Sequence, residues 1–276
     1  MDVMAVLRRY GIRPSKGLGQ NFLVDRGALE RIVATAGLTR ADTVLEVGPG
    51  VGVLTRLLAR AAGRVVAVEL DARMVSILGE TLADLPNVEV VAGDILEVDP
   101  AAVVANGGEA PDYRVVANLP YYITSAALRH LLEARVRPQT LTVMVQYEVA
   151  QRIVAAPGDL SLLAISVQVY GEPHLAFRVP AAAFYPAPKV DSAVLQVAVH
   201  PRPLIPEAEL PRFFRVVNAG FGQKRKQVHN SLSHNLALPR EAVLAALERA
   251  GISPDRRPQT LSIAEWAALA RALPRP

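Results

Sequence analysis

The chain has 276 residues, of which 51% are hydrophobic, so it is long enough to bury the core of one large domain or of two smaller ones. It contains no cysteine, which excludes disulfides, thiol nucleophiles, zinc–thiolate sites and iron–sulfur clusters. It has no run of 18 apolar residues and its first residues do not resemble a signal peptide, so we expect a cytoplasmic protein that does not span a membrane.

The histidines do not form a pattern typical of a metal site. His229 and His234 are five residues apart, which places them on different faces of a helix rather than on a shared face. We therefore expect a protein that needs no metal ion.

Positive charge is concentrated at the two ends of the chain. The formal net charge is +4, yet residues 201–276 contain 12 Lys and Arg against 6 Asp and Glu. The first 20 residues are also basic, with four Lys and Arg against one Asp. This distribution favours a polyanionic partner, although a solvated basic surface is the alternative.

Between residues 40 and 150, short apolar runs alternate with amphipathic stretches, which is typical of βαβ units. The apolar runs predict strands at Thr43–Val47, Arg64–Glu69, Val88–Ala92, Arg114–Ala117 and Leu141–Gln146. The amphipathic stretches predict helices at Ala28–Ala36 (with Asp25 as its N-cap), Leu54–Ala61, Ala72–Leu82, Ser125–Glu133 and Glu148–Ala155. The pattern therefore predicts an α/β fold with a parallel, doubly wound sheet.

The pattern changes after residue 156. Ser161–Tyr170 fits either a helix or a strand, and Val194–Val199 fits a last strand. Four prolines between residues 201 and 211 then predict a domain boundary, which we place between domains 1–203 and 204–276. Short helices are predicted in the second domain at Arg212–Ala219, Arg225–Leu232, Arg240–Ala250 and Ala264–Ala272.

The first predicted strand of the sheet runs into a glycine-rich turn, Gly48-Pro49-Gly50-Val51-Gly52. Such glycines let the backbone turn tightly and approach a nucleotide at the carboxyl edge of a sheet. Val53 stands where the dinucleotide fingerprint has its third glycine, and a purely structural turn is the alternative at this point.

Two acids follow the next two strands. Glu69 ends the second strand, where a carboxylate can accept hydrogen bonds from both hydroxyls of a ribose. Asp94 follows the third strand, where it can reach an adenine amino group. Either acid alone fits a loop-capping carboxylate, but the pair favours S-adenosylmethionine over a nicotinamide cofactor.

The fourth strand ends in Asn118-Leu119-Pro120-Tyr121 at the same predicted edge. The lone pair of an exocyclic amine is delocalised into its ring, so methylation is helped by acceptors for both amino hydrogens. The Asn118 side-chain oxygen and the Leu119 carbonyl are candidate acceptors. Pro120 fixes the turn, and Tyr121 offers a face on which a flipped base can stack. Positioning and electrostatics would supply most of the rate. A plain Asn-Pro turn is the alternative.

A second aromatic residue, Phe184, begins a loop that two prolines stiffen. It is a candidate to cover the other face of the base, although its spacing alone favours ordinary core packing.

Together these residues resemble the small-subunit rRNA adenine dimethyltransferases, the KsgA-type family, over nearly the whole chain. The motifs that carry the resemblance are Gly19-Gln20-Asn21-Phe22-Leu23, Glu46–Gly52, Glu69, Gly93-Asp94, Asn118–Tyr121, Phe184–Ser192, Phe221–Lys226 and Asn230-Ser231-Leu232. The glycine turn is common to many methyltransferases, whereas Pro186–Ser192 and the Lys/Arg block are more specific.

The resemblance implies a class I, Rossmann-like methyltransferase domain with a small C-terminal all-helical domain. It implies N6,N6-dimethylation of two adjacent adenosines in the 3′-terminal hairpin of 16S rRNA, in the assembling small ribosomal subunit, by a protein that we expect to be a monomer. By position, the S-adenosylmethionine ligands are Asn21, Leu23, Gly48, Gly50, Glu69, Asp94 and Asn118. The catalytic segment is Asn118–Tyr121, and the residues that meet RNA phosphates are Lys224, Arg225 and Lys226.

Three other functions fit parts of the same pattern. A 23S rRNA methyltransferase of the macrolide-resistance type shares the first domain but differs after it. A non-catalytic nucleic-acid-binding factor on the same fold would not need an intact Asn118–Tyr121 segment. An NAD-dependent oxidoreductase is disfavoured by Val53.

Overall fold

A computed structural model describes residues 2–15, 17, 19–105, 107–108, 111–223 and 225–274. Contacts between Cα atoms divide the chain into two compact units, Met1–Ala150 with Glu172–Val199, and Gln151–Gly171 with His200–Pro276. The second unit therefore begins four residues before the predicted boundary and also includes an earlier segment. That segment is tied to its unit by the N–H groups of Gly158 and Leu160, which both donate to the Gln259 carbonyl. The domain boundary at 203/204 itself stays a prediction.

The strands and helices follow the predicted order closely in the first 150 residues. The strands are β1 (Phe22–Leu23), β2 (Thr43–Val47), β3 (Arg64–Glu69), β4 (Val88–Ala92), β5 (Tyr113–Asn118), β6 (Thr140–Gln146), β7 (Gly171–Val179), β8 (Phe184–Tyr185) and β9 (Ser192–Val199). The helices are α1 (Val3–Arg9), α2 (Arg26–Ala36), α3 (Val53–Ala61), α4 (Ala72–Thr81), α5 (Pro100–Ala105), α6 (Thr124–Glu133), α7 (Tyr147–Ile153), α8 (Leu162–Gln168), α9 (Leu210–Phe221), α10 (Val228–Leu236), α11 (Arg240–Arg249) and α12 (Ile263–Ala272). Across the described ranges, every helix is too short or too polar to cross a bilayer.

The main sheet has the strand order β4-β3-β2-β5-β6-β9-β7. Strands β2 to β6 pair in parallel, which confirms the predicted α/β fold. Strand β9, predicted from the sequence as a last strand without a direction, pairs antiparallel with β6. An apolar run indicates that a strand is buried but carries no information about its direction.

The parallel strands are buried on both faces, which is why they appear in the sequence as continuous apolar runs. Val44, Leu45, Val65 and Val66 are fully buried. Glu46 lies among them on β2 with only 1% of its surface exposed. A carboxyl group in such a strand is costly to bury, so its position calls for an explanation from the site.

The carboxyl ends of the parallel strands bring their turns to one edge of the sheet. The Gly48 N–H, just after β2, donates to the Val68 carbonyl on β3 at 2.9 Å. The Gly93 N–H, just after β4, donates to the Glu69 carbonyl on β3 at 2.9 Å. Both turns and both predicted acids therefore follow neighbouring strand ends.

The described residues between positions 2 and 23 form an N-terminal arm, in which helix α1 and strand β1 were not predicted. Helix α1 places Val3 and Leu7 in a hydrophobic cluster with Phe22, next to the glycine turn. The Tyr10 hydroxyl also donates to the Glu80 carboxylate at 2.7 Å. Strand β1 pairs antiparallel with β8, which joins residues about 160 positions apart, a distance that no local pattern reveals.

The second unit is helical. Trp266 and Phe213 are fully buried within it, and Gly220 lies against the Trp266 ring so closely that a Cβ there would overlap with it. Helix α10 begins at Val228, so the predicted helix Arg225–Leu232 is wrong in its first three residues. Ser161–Tyr170, which fitted either a helix or a strand, contains α8.

Candidate active site

A cleft of about 820 Å³, counted out to its open mouth, lies at the carboxyl edge of the sheet. Three segments of the first unit line it: the glycine turn 48–51, the catalytic turn 118–121 that follows β5, and arm residues 19–23. Val3 of α1 and Glu69 of β3 complete the wall on the side of the glycine turn.

The glycine turn depends on backbone conformations that glycine adopts most easily. Gly48, Gly50 and Gly52 all have positive φ angles, of 67°, 59° and 85°. A Cβ on Gly50 would also lie 3.0 Å from the Phe22 ring of the arm. Both predicted cofactor positions, 48 and 50, therefore lie in a tight turn, and position 50 is also closely approached by the arm.

Glu69 is 7% exposed and braces this turn. One carboxylate oxygen accepts from the Gly50 N–H at 3.1 Å, and the other accepts from the Asp71 N–H at 2.9 Å. Burial raises the pKa of Glu69, while the two backbone N–H donors act in the opposite direction. Each oxygen keeps a second lone pair, so the group can still accept from the hydroxyls of a ribose.

Asp94 is half-buried, and one of its carboxylate oxygens accepts from the Leu96 N–H at 2.9 Å. It caps its own loop, as the structural alternative proposed, and it is outside the set of described residues that line the cleft. Its predicted contact with an adenine stays a prediction.

The catalytic turn is fixed to the arm through Asn118. The Asn118 side-chain nitrogen donates to the Asn21 carbonyl at 3.3 Å, which leaves the side-chain oxygen as an acceptor. Leu119 is 1% exposed, and its N–H donates to the Met144 carbonyl at 3.2 Å. Pro120 follows and leads into a single 3₁₀ turn, Tyr121–Ile123. All four predicted catalytic positions, 118–121, line the cleft.

The two predicted stacking residues have different environments. Tyr121 is half-buried and lines the cleft, with its hydroxyl 2.6 Å from the Ser192 hydroxyl. Burial raises the pKa of Tyr121, so its hydroxyl is neutral at ordinary pH. Phe184 is 4% exposed in the core cluster that contains Leu23, and β8 holds its backbone. That position fits the alternative of core packing, and stacking by Phe184 stays a prediction.

The arm positions the remaining predicted cofactor ligands. Asn21 donates through its side chain to the Gly19 carbonyl at 3.2 Å, and Leu23 is 5% exposed at the cleft wall. Gln20, whose side chain has no predicted role, donates to the Asp71 carboxylate at 3.1 Å. Asp71 in turn donates its N–H to Glu69, so one chain of hydrogen bonds runs from the arm to the glycine turn.

The predicted RNA-contacting block belongs to the second unit. Arg225 and Lys226 are exposed in the turn between α9 and α10, where the Lys226 N–H donates to the Gln223 carbonyl at 3.0 Å. Neither residue is paired with a carboxylate in the part of the chain that the structure describes. Lys224 lies outside the described residues.

Two polar residues at the site have no role predicted from the sequence. Glu46 lines the cleft, and its Oε2 atom is buried with no hydrogen-bond partner among the described residues. Burial is the main cause that raises the pKa of Glu46 to about 8; the Thr55 hydroxyl opposes the rise and the negative charge of Glu69 adds to it. Ser192, whose hydroxyl lies beside that of Tyr121, is the second polar residue without a predicted role. An acid inside an otherwise apolar strand is a signal that could have found Glu46, whereas Ser192 has no such signal.

The strand order, the glycine turn after β2 and the acids after the next strands define a Rossmann-like methyltransferase. A family model described as ribosomal RNA adenine dimethylase matches residues 13–274. The chain belongs to this family.

Similar proteins agree with this assignment. The chain is 47% identical over 264 residues to a protein named ribosomal RNA small subunit methyltransferase A from Dehalococcoides mccartyi, covering 96% of this chain and 90% of that protein. A crystal structure of the 23S rRNA methyltransferase ErmE matches with a TM-score of 0.70 and 34% identity, over 92% of this chain and 99% of that chain. A dimethyladenosine transferase structure from Plasmodium falciparum matches with a TM-score of 0.75 and 25% identity, over 90% of this chain and 95% of that chain.

Proposed function

We propose that the protein transfers methyl groups from S-adenosylmethionine to the N6 amines of two adjacent adenosines in the 3′-terminal hairpin of 16S rRNA, and so contributes to small-subunit assembly. One observation carries the proposal. Asn118, with its nitrogen bonded to the Asn21 carbonyl, presents its oxygen as an acceptor in the cleft that Gly50 and Glu69 also line. The family and the relative from Dehalococcoides mccartyi support the choice of RNA.

The residues of the cleft fit the cofactor. Glu69 keeps acceptor capacity for a ribose, and the glycine turn brings backbone close to a ligand without interference from side chains. The buried, unpartnered oxygen of Glu46 provides a further polar group at the wall. Asn21, Leu23, Gly48, Gly50, Glu69, Asp94 and Asn118 would hold the cofactor. When bound, S-adenosylmethionine supplies an electrophilic methyl group.

The catalytic turn prepares the amine for transfer. Asn118 and the Leu119 carbonyl accept its two hydrogens, which directs the nitrogen lone pair toward the donor side of the cleft. Tyr121 stacks on the flipped base, and Pro120 keeps the turn rigid. No general base is required because the methylated amine, positively charged, is acidic enough to lose its proton to water. Fixed dipoles and orientation therefore supply most of the rate.

The RNA substrate distinguishes this proposal from its nearest alternative. Similarity to ErmE would also fit a 23S rRNA methyltransferase, but the more similar relative, at 47% identity, is named for the small subunit. We therefore favour 16S rRNA.

The test uses purified full-length protein, S-adenosylmethionine, and ribosomal subunits from a strain that lacks the modification. Mass spectrometry of nucleosides should find N6,N6-dimethyladenosine in 16S rRNA, mapped to two adjacent positions of the 3′-terminal hairpin. Naked 16S rRNA and large subunits are incubated in parallel. Dimethyladenosine in 23S rRNA alone would assign the alternative substrate, and no methylation of either RNA would contradict the proposal.

A further inference from the structure

Ser192 bonds to the aromatic residue of the catalytic turn from a strand on the other side of β6. We propose that Ser192 is a positioning residue, whose hydroxyl fixes the tilt of the Tyr121 ring so that the ring is ready to stack on the target base. The inference rests on the proposed function, because it assigns a role within the same methyl transfer.

The hydrogen bond has the geometry of a strong contact between hydroxyl groups. The Tyr121 hydroxyl oxygen and the Ser192 Oγ atom are 2.6 Å apart, at the short end of the usual range. Ser192 is completely buried, so water does not compete for its hydroxyl. The two residues are 71 positions apart in the chain, which makes this a contact that only the folded protein can form.

The backbone that carries Ser192 is held from both sides. Ser192 begins β9 and pairs with Gln146 of β6. The preceding residue, Asp191, accepts from the Ala181 N–H at 2.8 Å and from the Arg178 guanidinium at 2.6 Å. The Asp191 carbonyl also accepts from the Tyr147 N–H at 2.9 Å. The backbone contacts on both sides therefore hold the Ser192 hydroxyl in a fixed position.

Tyr121 depends on a hydrogen-bond partner in a fixed position more than a residue in a long helix would. It is the first residue of a single 3₁₀ turn, and its side chain lines the cleft from the start of that turn. A bond at the far end of the ring restricts rotation of the ring plane. Burial, which raises the pKa of Tyr121, keeps its hydroxyl neutral and able to make this bond. The ring is then ordered before RNA binds, so that the base meets it in the orientation that methyl transfer needs.

The test is a double-mutant cycle with Ser192→Ala, Tyr121→Phe and the double variant, measured as single-turnover methyl transfer to small subunits. Each single variant should be slower by about tenfold, the size expected for one missing hydrogen bond and a less ordered ring. The double variant should be no slower than either single one, because both remove the same bond. Dissociation constants for the cofactor and for the subunit should change by less than about twofold. Ser166→Ala is the matched control, since the buried Ser166 hydroxyl bonds to the Leu162 carbonyl within its own helix.

Two outcomes overturn the inference: a Ser192→Ala rate equal to that of the wild type, or single effects that multiply to roughly 100-fold in the double variant. If Ser192→Ala does not fold, Tyr121→Phe removes the same bond from the other side and a wild-type rate for it is equally decisive. If the wild type itself does not methylate the subunit, the proposed function fails. The NMR signal of the Tyr121 ring then decides the inference: it must shift in Ser192→Ala and stay unchanged in Ser166→Ala.

Discussion

The glycine turn 48–52 and the catalytic turn 118–121 follow strands β2 and β5 at the same edge of the sheet but are held in different ways. The glycine turn takes its shape from positive φ angles and from the space that absent side chains leave for the arm. The catalytic turn takes its shape from side-chain hydrogen bonds, Asn118 to the arm and Tyr121 to Ser192. Substitutions in the glycine turn should therefore act by straining the backbone or by displacing the arm. Substitutions in the catalytic turn should act by removing hydrogen-bond donors and acceptors.

The largest effect is expected at Asn118. Asn118→Ala removes both the amine acceptor and the bond to the Asn21 carbonyl, so turnover should fall by about 10²–10³-fold, as when one fixed dipole is removed from a reacting centre. Cofactor binding, measured by calorimetry, should be weakened but detectable. Asn218→Ala is a matched control, because the exposed Asn218 side chain donates to the Phe214 carbonyl of its own helix. Near-normal turnover in Asn118→Ala would refute the acceptor role.

Glu46, which leads into the glycine turn, provides a test by pH. Its folded-state pKa of about 8 lies above the ordinary value of 4.5, so folding favours the neutral acid. The contribution of the neutral acid to the free energy of unfolding is fully present below pH 4.5 and is lost as the pH rises toward 8. Glu46→Gln is neutral throughout, so the free energy of unfolding of the variant should rise relative to that of the wild type over that interval, by about 4 kcal/mol at pH 8.

The measurement is urea unfolding of the cofactor-free protein at several pH values between 4.5 and 8. Glu97→Gln, at an exposed position, controls for the removal of a carboxylate that water already solvates. A difference between Glu46→Gln and the wild type that does not vary with pH would mean that Glu46 folds in its charged form.

Gly50→Ala separates backbone strain from close approach. The positive φ should cost about 1 kcal/mol of folding free energy, and displacement of the Phe22 ring should add a similar amount. Gly37→Ala is the matched control, because Gly37 has φ 58° but nothing lies near its Cβ position. Only Gly50→Ala should also weaken cofactor binding. Equal effects of both variants in unfolding and in calorimetry would remove the argument for close approach.

The smallest effect is expected in the Lys/Arg block of the second unit. Replacing Arg225 and Lys226 with Gln should make the dependence of log Kd on log salt concentration shallower, by about 0.7–0.9 unit for each phosphate that the protein no longer neutralises, and adding Lys224→Gln should extend the change. Arg26→Gln is the control, since Arg26 is exposed and already paired with Glu30. An unchanged slope would mean that this block does not bind RNA.

The sequence predicted what local patterns encode. The bounds of β2, β3 and β4 agree with the apolar runs, and Asp25 caps α2 by accepting from the Ala28 N–H at 2.6 Å, as predicted. The sequence also predicted that residues 118–121 lie at the carboxyl edge of the sheet, because they stand at the end of a predicted strand. It did not predict the direction of β9, because strand polarity depends on connections made in three dimensions.

Apart from Glu46, the parts of the site that the sequence did not predict depend on distant partners. Asn118 meets Asn21 across 97 positions and Tyr121 meets Ser192 across 71. The motifs identified which residues gather at the cleft, but no spacing rule states which atom of one bonds to which atom of another. Glu46 differs, because a single acid among buried valines and leucines was visible in the sequence and only its meaning was missing.

The arm contributes to both turns at once: Phe22 packs over Gly50, and the Asn21 carbonyl holds Asn118. A protease that cuts the polypeptide just ahead of α2 would therefore remove one wall of the cleft and the hydrogen-bond partner of Asn118, while every strand of the main sheet stayed intact. A ligand that binds against these arm residues would slow the cut.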